Sequence, residues 1–107
     1  MPITRRAALL SAALLAAPRI PRAQEAPPPI LFVHGNGDHA ALWMTTLWRF
    51  ESNGFARDRL MAVNMPDPLA RDDDAIPQPG RSGSAEQTER LGAFAADLRA
   101  RTGAARI

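Results

Sequence analysis

Between Ile30 and Trp43 the chain reads Ile-Leu-Phe-Val-His-Gly-Asn-Gly-Asp-His-Ala-Ala-Leu-Trp. Four apolar residues run into His34, and Gly35 and Gly37 flank Asn36. Glycines just past a strand let the backbone turn sharply and bring its N–H groups close to a reactant. Such pre-aimed N–H groups can stabilise the negative oxygen formed in acyl transfer, where losing one donor costs roughly 3 kcal/mol. Other readings of the same residues stand beside this one. Gly35 and Gly37 could do no more than end a strand. His34 and His39 could form a metal pair, but the loop offers no third ligand. A phosphate cradle would need Gly-x-Gly-x-x-Gly, or a lysine followed by serine or threonine, and neither is present. Asp72-Asp73-Asp74 reads as a solvated loop, with calcium binding as its functional alternative. Trp43 and Trp48 suit core or rim packing more than substrate contact, and Met44, Met61 and Met65 suit core filling.

These residues need a frame, and the flanking pattern predicts one. Pro27-Pro28-Pro29 holds an extended chain and denies a helix. Ile30–Val33 is a continuous apolar run, as expected of a strand buried on both faces of a parallel sheet. From about Ala40 to Ser52, Leu42, Thr46 and Phe50, with Trp43 and Leu47, recur every four residues and predict a helix, which Asn53-Gly54 stops. Arg59–Asn64 reads as a second strand, and residues 65–83 as a long loop. A further helix is predicted to open at Ser84, with Gln87 completing a capping box. Leu91, Phe94, Ala95 and Leu98 form its apolar stripe, and Gly103 ends it. Ala104–Ile107 resembles the run-in to another strand. Strand, helix, strand, helix, strand start is the alternation of an α/β fold, a parallel sheet with helices on both faces. No internal repeat is visible.

Composition narrows the function classes. The 107 residues carry a formal charge of +2 and a pI near 10.9. Four of the thirteen arginines precede Gln24, whereas all eleven acids follow it. The chain from Gln24 onward therefore holds nine arginines against eleven carboxylates, a balance of −2. That argues against a nucleic-acid footprint. Without cysteine there is neither a disulfide framework nor a thiolate metal site. Arg5-Arg6 and the apolar run Ala7–Ala17, eleven residues broken only by Ser11, have the order and size of an export signal. The run is shorter than the roughly 20 residues a membrane-spanning helix needs. Thr4-Arg5-Arg6-Ala7-Ala8-Leu9 resembles a twin-arginine signal, with Ala8 where that pattern has phenylalanine. Residues 1–26 are thus expected to be leader and linker, cut near Ala23 or Ala26, and residues 27–107 a partial α/β domain.

From Pro29 to Ile107 the chain resembles the opening of α/β-hydrolases, in particular compact secreted bacterial lipases and esterases. The shared features are an apolar strand delivering His-Gly-x-Gly, a helix closed by an Asn-Gly-Phe turn, and a second strand leading to an aspartate-containing loop. The resemblance implies that Asn36 gives its backbone N–H to an oxyanion hole. It implies that His34 braces the loop and that Gly35 and Gly37 give it freedom. Pro79-Gly80-Arg81-Ser82 would be the family's Gly-x-Ser loop, with Ser82 structural. It further implies carboxylic-ester hydrolysis, a small-molecule or lipid ester substrate, no cofactor, and an exported, periplasmic or secreted location reached through the twin-arginine machinery. The triad is missing: no Gly-x-Ser-x-Gly occurs, and both histidines lie in the first loop. The expectation is an N-terminal portion ending before its nucleophile, inactive by itself and marginal in isolation because its strand edges lack neighbours. The alternative is a non-enzymatic exported binding or interaction protein on the same partial frame.

Overall fold

The computed structural model describes residues 26–107, so the leader expectation at residues 1–25 lies outside the described residues. Strand β1 spans Ile30–Val33 and β2 spans Leu60–Val63. They pair in parallel, with Ile30 opposite Leu60 and Val33 opposite Val63. The proline linker leads straight into β1. The Arg59 guanidinium donates twice to the Pro27 carbonyl, at 2.9 and 2.6 Å, and Pro29 is buried. The linker is thereby tied to the residue that precedes β2.

The connection between the strands begins as a 3-10 turn at Ala40–Trp43 and continues as helix α1, Met44–Ser52. His39 caps it, its Nδ1 accepting the Ala41 N–H at 3.1 Å. The tighter 3-10 winding changes the phase of the expected four-residue repeat. Leu47 is buried as the repeat requires, whereas Leu42 is exposed, a correction to the predicted stripe. Met44 and Trp48 are also exposed, so neither fills the core.

Because strand side chains alternate, Ile30 and Phe32 share a face with Leu60 and Ala62. Phe32, Leu47 and Leu60 form the buried cluster there, with Trp43, Phe50 and Phe55 packed around it. Phe32 lies 5.4 Å from Trp43 and 5.6 Å from Phe50, and Phe50 meets Phe55 edge-on at 5.0 Å. Edge and tilted contacts of this kind add to the simple burial of area. Leu31 and Val33 point the other way. Together with Leu91 and Ala95 they line an apolar trough of about 670 Å³ that runs beside β1 to Ile107.

Residues 65–83, expected as a plain loop, contain a second parallel ladder. Strand β3, Leu69–Ala70, pairs with β4, Arg81–Ser82. Two-residue strands carry no periodic signature, which is why no hydrophobic pattern announces them. Helix α2 runs Ser84–Thr102 and closes on Gly103 in the left-handed region, φ 67°. Its cap is Gly83, one residue earlier than expected. The N3 residue Glu86 takes the Gly83 N–H at 3.0 Å, and Asp74 takes the Ser84 N–H at 2.6 Å. Gln87 is directed elsewhere, as described below. Ala104–Ile107 form no regular element. No described helix is long and apolar enough to cross a membrane.

Candidate functional site

Both strands of the β1–β2 pair end at the same level, and each is followed at once by a polar residue: His34 after Val33, Asn64 after Val63. The segments that leave them are stitched together by four hydrogen bonds. His34 Nε2 accepts the Met65 N–H at 2.9 Å, and Asn64 Oδ1 accepts the Ala40 N–H at 2.7 Å. Gly37 donates its N–H to the Pro68 carbonyl at 2.9 Å, and Asn36 Oδ1 accepts the Ala70 N–H at 2.8 Å. Each bond spans at least 24 positions of sequence.

His34 is buried, and the hydrogen-bond pattern assigns its tautomer. A ring nitrogen facing the Met65 N–H must offer a lone pair, so the proton sits on Nδ1, which donates to the Gly35 carbonyl at 2.8 Å. With both nitrogens engaged, the ring braces the loop. His39 spends its Nδ1 on the helix cap. The two histidines considered as a metal pair are therefore committed to separate backbone donors.

Gly37 lies at φ 71°, and a Cβ there would stand 3.2 Å from Leu69 Cδ2. A glycine is suited to both conditions. Gly35 faces neither: its φ is not positive, and nothing lies within 4 Å of a Cβ built on it. The expected freedom of the loop thus resides in Gly37. That residue's N–H is consumed by Pro68, so Gly37 supplies shape and not a donor. Asn36 differs. It is exposed beyond the carboxyl end of β1, and its backbone N–H has no hydrogen-bond partner among the described residues. Its side chain is the engaged part.

A cavity of about 420 Å³ opens beside this loop, lined among others by His34, Asn36, Arg71, Ser82, Gln87 and Thr88. Ser82 is buried, and its hydroxyl donates to the Asp67 carbonyl at 2.8 Å. Gln87 Nε2 donates to Ser82 Oγ and, at 3.4 Å, to the Pro66 carbonyl. The Ser82 hydroxyl therefore braces residue 67, the one described non-glycine at positive φ, 40°. Arg71 reaches Glu86 at 2.7 Å and the Asp74 carbonyl at 3.0 Å, while its buried Nε has no partner among the described residues. The acid run is exposed, as expected of a solvated loop, and makes local bonds: Asp72 accepts from Gln78 at 2.8 Å, Asp73 takes the Ala75 N–H, and Asp74 caps α2. Sequence reasoning did not single out Asn64 or Arg71, and it assigned Gln87 to the helix cap and not to this cavity. The one available signal was the matching polar residue after each apolar run. Compared with known protein families, with characterised proteins and with solved structures, the chain matches none.

Proposed function

We propose that residues 27–107 belong to an exported serine hydrolase of the α/β-hydrolase type that cleaves carboxylic esters, as lipases and carboxylesterases do. In this reading residues 1–26 carry the twin-arginine leader and its linker, and the Asn36 N–H is one of the oxyanion donors. The observation that carries it is an amide without a partner among the described residues, in a loop that is pinned on both sides of it. The Asn36 N–H stands at the carboxyl end of a parallel strand, between anchors at His34, Gly37 and Ala40. Ligands gather at such strand ends. A donor held fixed before reaction needs no reorganisation when an alkoxide forms. Among the described residues β1 pairs with β2 on one edge only, and in this reading a further strand on its other edge would carry the nucleophile.

The reaction would run by attack of a serine Oγ on the ester carbonyl carbon. The carbonyl oxygen becomes an alkoxide facing the Asn36 N–H, collapse expels the alcohol, and water then releases the acid. The serine, its histidine base and the acid that orients it are not among these residues, since no Gly-x-Ser-x-Gly occurs in the 107. The second reading, an exported binding protein, is favoured by one observation: the trough has no charged side chain in its lining and would accept an apolar partner.

Hydrolysis of p-nitrophenyl butyrate by the protein as its gene encodes it, read through whatever follows codon 107, separates the two. Replacing the Gly35–Asn36 peptide by an ester removes this N–H and keeps the side chain. The expected result is a kcat lower by about 10²–10³-fold, the range for one lost oxyanion donor. An unchanged kcat, or a folded protein that turns over no ester, overturns the reading. The 107 residues by themselves are expected to give no turnover, and turnover abolished by Ser82→Ala would equally overturn it.

A further inference from the structure

The bond from Ala40 to Asn64 does more than join two loops. Ala40 opens the 3-10 turn four residues after Asn36, and its N–H points to a side chain standing one residue beyond β2. Residues 34–40 are thereby anchored at both ends to the close of β2, His34 through Met65 and Ala40 through Asn64. Gly37 is held in the middle by Pro68. The direction of the Asn36 N–H follows from those anchors, because a short peptide pinned at both ends has few ways to turn an interior amide. Without Asn64 the downstream anchor is lost, and the Ala40 N–H turns to water.

We infer that Asn64 is a positioning residue for the Asn36 amide, acting through Ala40 and touching no substrate. The inference rests on the proposed hydrolase reading. Asn64 is exposed and packs in no core, so its role is separable from holding the fold together. Its chemistry is that of a helix cap supplied from the segment just beyond β2: an oxygen acceptor for the first free N–H of a helical turn. A carboxylate would serve as well as an amide oxygen, and a methyl group would not.

The test compares Asn64→Ala and Asn64→Asp in the protein as its gene encodes it. With p-nitrophenyl butyrate, Asn64→Ala is expected to lower kcat about tenfold with KM changed less than about twofold, as a small misplacement of a transition-state donor does. Asn64→Asp should restore kcat to within about twofold of the parent. Amide exchange should quicken at residues 37–41 in Asn64→Ala, stay at the parental rate in Asn64→Asp, and be unchanged in β1 for both. An unaltered kcat in Asn64→Ala overturns the inference, as does equal loss in the two variants. If the parent hydrolyses no ester, the functional reading falls, and exchange at residues 37–41 then decides. Quickening in Asn64→Ala alone sustains the anchoring role, and no quickening ends it.

Discussion

The β1–β2 pair is secured differently below its carboxyl ends and above them. Below, Phe32, Leu47 and Leu60 are buried together, ringed by Trp43, Phe50 and Phe55. Beyond the β1–β2 ladder the contacts there are apolar, and stability scales with the apolar area removed from water. Above, residues 34–40 meet residues 64–70 through four hydrogen bonds and little apolar burial apart from Met65. A hydrogen bond adds only about 1 kcal/mol net to stability, yet its geometry is narrow. The lower region therefore decides whether the fold exists, and the upper one decides where an amide points. Damage to the two should look different, with lost stability in one case and lost alignment in the other.

The largest expected effect is in the lower region. Phe32→Ala removes the ring that touches both Trp43 and Phe50, and it should cost about 3–5 kcal/mol, read as a lower urea midpoint. A smaller loss would mean that the aromatic cluster is not what closes this face. Next comes His34→Ala, which strips the buried Met65 N–H of its acceptor. About 1–3 kcal/mol is expected, with amide exchange quickening at Met65 while β1 stays protected. Equal quickening throughout β1 would erase the distinction between the two regions. The smallest effect sharpens the comparison within the loop itself. Gly37→Ala puts a side chain at φ 71° and should cost about 1–2 kcal/mol, whereas Gly35→Ala should stay within about 0.5 kcal/mol. The Leu69 side chain near Gly37 is exposed and can shift, so the difference measures backbone strain.

Much of the lower region could be read directly. Ile30–Val33 and the run near Leu60–Val63 lack alternation, which marks strands covered on both faces, and they do pair in parallel. Gly54 and Gly103 stop the helices where the pattern says. Where the reading failed, periodicity was the cause. Leu42 falls in a 3-10 turn, which winds faster than the helix assumed for it. The β3–β4 ladder is two residues long on each side, too short for any period to show. The cap of α2 moved to Gly83 because Glu86 and Asp74 serve its first N–H groups and leave Gln87 free to reach Ser82.

The candidate site divides in the same way. His34, Gly35, Asn36 and Gly37 stand out by type and spacing, since few other arrangements end a buried strand with two glycines around an amide. Which N–H stays open could not be read from them. That depends on the Pro68 carbonyl accepting the Gly37 N–H and on the Ala70 N–H donating to the Asn36 side chain, contacts more than thirty positions away. The order of residues along the chain determined the strands, the turn and the candidate donors, because hydrophobic period and glycine freedom act over neighbouring positions. The tertiary structure alone decided which donor is spent and which is spare, because a hydrogen bond is set by distance and angle in space, and the partners here come from another strand.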